Sequence, residues 1–476
     1  MRSDFLKLRF PSFKFPRKKK DTLPKSALPR VRSKELPGYQ SAKLIAELKR
    51  FECPQITYIG GPMPVFLDRG HACNLFDVDG NRYLDLTASF AVAGLGHGPG
   101  AVTRAVGEQM KRMVQALGDV HPSELKVRLA RKLSEITPGN LQQSIFSTTG
   151  SEAVESALKT AVIHTKKTGV IAFTGAYHGL GYGALAVTHR EDFRKPFLKQ
   201  LGGFVYHAPF PDEREYEGKA AEVSMKAVAR IVKKNRRGRH PVGAVLIEPV
   251  QGRGGIRTAP VEFLKNLRAF CDAEKILLIA DEVFTGFGRT GSMFAIEKSG
   301  IVPDLLCLGK GMANGFPVSA CVGPIRIMYS WGASTGDAIH TSTFLGHPVG
   351  CAAALAAIQE IESKKLVDRS RQMGDLFRKE LWKLKEKFPV IADIRGAGLM
   401  IGVELSETQT WGRKSRTVPA TAKAKQFAAE ALRHGLVLLL SGADHNVISI
   451  TPPLIIGERE IQHTIKVFEK VLKSIP

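Results

Sequence analysis

Two stretches of this 476-residue sequence end an apolar run on a chemically able side chain. ILLIADEV (276–283) delivers Asp281, and LLCL (305–308) is followed at once by Gly309 and Lys310. Short runs of this kind read as strands buried on both faces of a parallel sheet, and in such sheets ligands bind at the carboxyl ends of the strands. An amine and a carboxylate brought there together suit one kind of catalysis. The amine can hold an aldehyde as an imine, while the acid keeps a pyridine nitrogen protonated so that the ring accepts electrons, which is what pyridoxal phosphate requires. Taken alone, the pair reads equally well as a buried ion pair.

Three further segments carry groups of interest. In FSTTGSEAVESALKTA a strand turns through Thr149, Gly150 and Ser151 into a helix, whose first backbone N–H groups can receive a phosphate. An ordinary helix cap explains the same residues. FTGAYHG places Tyr177 and His178 after a strand, where core packing is the default reading. HTSTFLGHPVG is a Ser/Thr-rich loop that leads into a helix after Pro348.

The strings DEVFTGFGRTG and LGKGMANGFP resemble the class III (ornithine/4-aminobutyrate-type) aminotransferases of pyridoxal-phosphate fold type I, and the resemblance extends over roughly residues 55–470. It implies the aspartate-aminotransferase-like architecture, in which a large, mostly parallel sheet domain with helices on both faces joins a smaller α+β domain. It also implies the cofactor pyridoxal 5'-phosphate, amine or amino-acid donors, oxo-acid acceptors and a homodimer or higher homo-oligomer. Residue by residue, Lys310 becomes the imine-forming lysine and Asp281 the partner of the ring nitrogen, with Gly150 and Ser151 in the phosphate turn. Tyr177 and Val283 become the two faces of a sandwich around the ring, and His178 and Glu248 stand behind them. Thr343 becomes the phosphate ligand lent to the neighbouring subunit, and Arg289 shapes the loop after Asp281. An amino-acid racemase, epimerase or aminomutase of the same fold is the alternative activity.

The sequence departs from the family near the substrate. Many relatives have a glutamate in QGE, paired with an arginine before the PPL element that grips a substrate carboxylate. Here those positions are Arg253 in QGRGG and Ser449 in NVISITPPL. Arg253 is read either as a carboxylate-binding residue working from the other side of the pocket or as a loop arginine paired with an acidic surface residue. Phe284 replaces a glutamine that bonds the cofactor's phenolic oxygen, and Phe90 falls where relatives line the substrate pocket.

The elements that must position these groups follow from pattern. Candidate strands occur at 144–148, 169–175, 244–250, 276–283, 305–308 and 318–323, alternating with amphipathic stretches. NLFDVDGNRYLDL reads as a hairpin around Asp79 and Gly80, with order beginning near Ser41. From about 347 onward a long helix, the strands LMIGVEL and NVISI and a closing helix are expected. The expected division is a basic, disordered tail at 1–36, an N-terminal part of the small domain at 37–100, the large domain at 101–345 and the C-terminal small domain at 346–476.

The formal charge is +24, of which residues 1–36 supply twelve Lys or Arg against three Asp or Glu. A field of that sign favours anionic ligands. The tail is read as a solvated extension, with weak contact to a membrane surface or nucleic acid, or an organelle presequence, as competing readings. The six cysteines, at 53, 73, 271, 307, 321 and 351, form no CxxC pair and suggest neither a metal site nor a disulfide framework. With no long apolar run, a cytoplasmic enzyme is expected.

Overall fold

The computed structural model describes residues 23–61, 63–411 and 414–475. At its centre lies a seven-stranded sheet. In spatial order its strands are Gln143–Ser147, Ser319–Gly323, Leu305–Leu308, Leu277–Asp281, Val242–Ile247, Gly169–Phe173 and Val205–Ala208. Every neighbouring pair is parallel except those made by Ser319–Gly323, which runs antiparallel to both of its neighbours. The fold is therefore α/β with one reversed strand.

The continuous apolar runs follow from burial on both faces. Val245, Ile247, Leu278, Ala280, Leu306 and Leu308 pack into one core, while Ala244, Leu246, Leu277, Ile279, Leu305 and Cys307 pack into a second. This alternation is the two-residue period of a strand. The helix Gly150–Thr165 covers the second core through Ala153, Val154 and Ala157. Asp281 follows Leu277 and Ile279 in that period, so its carboxylate leaves the sheet on the side of this helix.

Two smaller sheets flank the central one. Leu67–His71, Asn74–Asp77 and Arg82–Asp85 form antiparallel hairpins, and Leu436–Val437 from near the other end of the chain joins parallel to Arg82–Asp85. Ile391–Ala397, Met400–Trp411, Val447–Ile450 and Leu439–Ser441 form the other sheet, with Lys414–Pro419 paired to the far half of Met400–Trp411.

Two expectations need correction. The long helix after residue 347 is two helices, Pro348–Ser363 and Leu366–Lys387, separated where Lys365 takes a left-handed φ of 51°. The tail expected to be disordered through residue 36 is tied down over 23–36. Arg30 and Arg82 exchange backbone hydrogen bonds of 2.8 and 2.9 Å. The Asn74 side chain bonds both N–H and C=O of Ala27, and the Asn81 carbonyl accepts from Arg32 and Ser33. Residues 1–22, which carry the KKK run, lie outside the described residues, and with them the reading of that arm as a membrane or nucleic-acid contact. Among the described residues no helix is long and apolar enough to cross a membrane.

Glu282, beside Asp281, gives the fold a pH dependence. Its carboxylate is wholly buried, accepting from the Thr285 hydroxyl and from Ile296 N–H at 2.7 Å, and burial pushes its pKa up to about 7. A carboxyl raised in the folded state lends stability that is complete below its unfolded pKa and is lost as pH rises through the folded value. Between about pH 4.5 and 7 this group should therefore withdraw up to about 3 kcal/mol. Glu282→Gln keeps an acceptor for Ile296 N–H and reverses the bond to the Thr285 hydroxyl, which then accepts from the amide. Denaturant unfolding of the variant should depend less steeply on pH across this window than that of the native protein, and equal slopes would exclude the assignment.

Candidate active site

Asp281 ends its strand with only 5% of its surface exposed. One carboxylate oxygen meets His178 Nδ1 at 2.7 Å, and the other accepts from Val283 N–H at 3.0 Å. His178 is itself fixed, because its backbone N–H donates to the Thr188 hydroxyl at 2.9 Å. Because a carboxylate only accepts, Nδ1 carries the proton toward it, and the buried Nε2 has no partner among the described residues.

Lys310 opens a short 3-10 turn immediately after Leu305–Leu308, with a left-handed φ of 36°. Such a backbone is strained for a residue with a Cβ, and strain of this kind collects at functional sites. Burial lowers its pKa, opposed by the negative charges of Asp281 and Glu248 and reinforced by Arg253. Its Nζ lies 5.0 Å from the centre of the Phe284 ring.

The start of helix Gly150–Thr165 closes another side. Thr149 caps it, and Glu152 folds back to accept from the backbone N–H groups of Thr148 and Thr149, completing a capping box. The cap leaves the N–H groups of Gly150 and Ser151 without a hydrogen bond among the described residues. The ordinary-cap reading is realised on the donors of Thr148 and Thr149, and the N–H groups an anion would need are separate from it. A Cβ at Gly150 would lie 2.6 Å from Val283 Cγ1, so glycine lets the helix sit directly on Val283. The Ser151 hydroxyl accepts from Gly181 N–H at 3.0 Å.

Glu248 follows Val242–Ile247 and bonds the backbone N–H groups of Tyr177 (2.9 Å) and Gly252 (3.0 Å). It thereby ties two loops together, and burial raises its pKa to about 7. Arg253 lies against three rings, its guanidinium carbon 4.7 Å from the centroid of Tyr177, 5.5 Å from Phe193 and 5.6 Å from Phe90. No acidic side chain pairs with it among the described residues, which sets aside the surface ion-pair reading.

Phe90 reaches this cluster from an unusual turn. Ala88, Ser89, Phe90 and Ala91 all have positive φ, between 44° and 64°. Left-handed backbone costs roughly 1–2 kcal/mol per residue with a Cβ, so the turn must be held from outside. Asp85 accepts from the backbone and hydroxyl of Thr87 and pairs with His97 at 2.8 Å. The Thr87 hydroxyl in turn accepts from Ser89 N–H, and the Thr451 hydroxyl donates to the Thr87 carbonyl.

Two predicted residues stand apart. The Ser449 hydroxyl is buried and shares a 2.6 Å hydrogen bond with Ser441. Thr343 is exposed, its carbonyl accepting from the Gln115 amide at 2.6 Å, and no hydrogen bond joins it to Lys310, Asp281 or Gly150 within the chain. Arg289 is buried and donates to the Leu399 and Pro452 carbonyls. Sequence reasoning missed Phe193 and the left-handed turn, and neither has a local signal.

These groups fit pyridoxal phosphate. A buried carboxylate oriented by histidine, a lysine turned into the same space and unfilled N–H groups at a helix start are what its ring nitrogen, aldehyde and phosphate need. On this sheet they define a pyridoxal-phosphate enzyme of fold type I. The family model for class III aminotransferases matches residues 58–472, and the chain belongs to that family. It is 37% identical over 422 residues to a 5-aminovalerate aminotransferase, DavT, of Pseudomonas putida, a match covering 88% of this chain and 95% of the relative. It is 34% identical over 417 residues to the 4-aminobutyrate aminotransferase GabT of Escherichia coli, covering 87% and 94%. Among solved structures, a transaminase from the marine bacterium Virgibacillus superposes with a TM-score of 0.82 at 28% identity, covering 91% of this chain and 99% of that one. A PLP-bound amine transaminase from an uncultivated Pseudomonas species gives 0.80 at 27% identity, covering 90% and 99%. The chain is a pyridoxal-phosphate-dependent aminotransferase.

Proposed function

We propose that Lys310 Nζ binds the cofactor aldehyde and afterwards moves the proton, and that the donor is a primary amine carried at the end of its chain. The observation that carries this reading is the half-buried Lys310 amine, its pKa lowered by desolvation, beside the His178-oriented Asp281 carboxylate. Curated relatives named for 5-aminovalerate and 4-aminobutyrate, both terminal amines, support the donor class.

When bound, pyridoxal phosphate supplies an aldehyde that takes up the donor's nitrogen and a ring that accepts the electron pair of a breaking C–H bond. Asp281 would keep a positive charge on the ring nitrogen, while His178 fixes the carboxylate's orientation. Gly150 and Ser151 N–H groups would receive the phosphate at the helix start. Tyr177 and Val283 would hold the ring between them, with Glu248 positioning Tyr177. Lys310 Nζ would take the proton from the carbon bearing the donor's nitrogen, and its lowered pKa keeps more of it in the neutral form this step needs. The same atom would return a proton in the half-reaction with the oxo acid.

A subunit-shared site fits the surroundings of Thr343. Segment 115–119 grips segment 341–345, through Gln115 and through Asp119, which accepts from the Thr341 hydroxyl at 2.7 Å. Leu117, Val120, Ile339 and Phe344, on or beside these segments, are large apolar residues more than half exposed. A surface of that kind beside the predicted phosphate ligand favours a homodimer in which Thr343 serves the neighbouring site. Free thiols at all six cysteines accord with a cytoplasmic location.

The test uses isotopically labelled nitrogen. Holoenzyme given labelled 5-aminovalerate and unlabelled 2-oxoglutarate should place the label in the amino acid formed from the oxo acid. Label confined to the donor while the donor isomerises would overturn transfer and establish the isomerase alternative.

A further inference from the structure

We propose that Arg253 is a fixed carboxylate-binding residue that sets donor and acceptor specificity, so that the pocket selects substrates with an anionic group remote from the reacting nitrogen. The inference rests on the transaminase reading above and adds the recognition element.

The first argument is charge without a partner. Arg190, the neighbouring arginine, is neutralised by a two-point pair with Asp192 at 3.1 and 2.8 Å. Arg253 has no such partner among the described residues, although it is half-buried among aromatic rings. Ring contacts satisfy the charge through the π face and leave the in-plane N–H fork unfilled. A planar two-oxygen acceptor is what that fork fits.

Rigidity is the second argument. The Arg253 carbonyl accepts from Arg190 Nη1 at 3.1 Å and from Gly442 N–H at 3.0 Å. Two residues on, the Gly255 carbonyl accepts from Arg395 Nε at 2.8 Å, and the preceding Gly252 is held by Glu248. The guanidinium is therefore mounted on a loop clamped to both the central and the C-terminal sheets. Its aromatic wall is fixed as well, since Phe90 stands on the strained turn held by Asp85, Thr87 and Thr451.

Position completes the case. Gly252 lies against Phe284, with a Cβ there only 3.2 Å from the ring, Lys310 Nζ lies 5.0 Å from the centre of the same ring, and the Arg253 charge acts on that amine. The arginine thus lines the space that holds the reacting nitrogen. With no acidic partner among the described residues, it presents its fork to donor and acceptor alike.

The experiment compares isosteric donors on the holoenzyme. Half-reactions are followed at the cofactor for 4-aminobutyrate against butylamine and for 5-aminovalerate against pentylamine. The native enzyme should prefer the carboxylate in at least one pair. Arg253→Gln should reduce that preference, as a ratio of kcat/KM, by roughly 10- to 100-fold, mainly through KM. Arg253→Lys, which keeps the charge and loses the fork, should recover part of it. Bound cofactor measured in each variant shows that it is folded. An unchanged ratio in Arg253→Gln, or a native enzyme that prefers the alkylamines, would overturn the subsite and leave transamination standing. A native holoenzyme that reacts with neither class would overturn both.

Discussion

Lys310→Ala is expected to lower turnover by at least about 10⁴-fold, because one atom performs two jobs. Proton transfer by a positioned base alone contributes roughly 10²–10⁴-fold, and loss of the amine that binds the aldehyde is added to it. Among the described residues, Lys310 is the lysine delivered beside Asp281 by its own strand and strained turn. The variant should still take up cofactor, because the helix-start N–H groups and Asp281 are untouched. Borohydride treatment followed by peptide mapping should place the cofactor's mass on residue 310 in the native enzyme and leave the Lys310→Ala peptide unmodified. Turnover above about 1% of native, or cofactor trapped on a different lysine, would remove Lys310 from the mechanism.

The two groups on which this prediction depends were legible in the sequence for a physical reason. Strands buried on both faces must be apolar at consecutive positions, so Asp281 and Lys310 stand out at the ends of their runs. The helix start at Gly150 was legible too, though the capping box shows that Glu152 and the phosphate-competent N–H groups share one turn. What could not be read depends on distant partners. The turn at 88–91 contains no glycine and is held in part by Thr451, 364 residues from Thr87. Phe193 joins the Arg253 cluster only once the fold brings its loop there. The helix break at Lys364 and Lys365 has neither proline nor glycine to announce it. Residues 23–36 read as a tail because they are basic and aperiodic. Their anchoring runs through backbone groups and the side chains of Asn74 and Asn81, which charge counting does not see.

Asp281→Asn separates charge from shape at the other half of the pair. The amide oxygen can still accept from His178 Nδ1, so that hydrogen bond survives while the negative charge and the acceptor for Val283 N–H are lost. Turnover should fall by at least about 10²-fold, the scale set by removing one electrostatic group aimed at developing charge. The same substitution acts on Lys310 in the opposite sense. Asp281 is the foremost influence raising the Lys310 pKa against burial, so without it the ammonium form is less favoured and the lysine titrates at lower pH. At a given pH the variant therefore holds more neutral amine, yet turns over more slowly. Competitive acylation of Lys310 in cofactor-free protein, measured across pH, gives the first quantity, and single-turnover half-reactions of the holoenzyme give the second. A slow variant with a lysine that titrates lower would show that Asp281 acts on the cofactor ring. Turnover kept within about tenfold of native would instead leave Asp281 as a structural ion-pair partner, and a titration shifted upward would remove its charge as the influence that raises the Lys310 pKa.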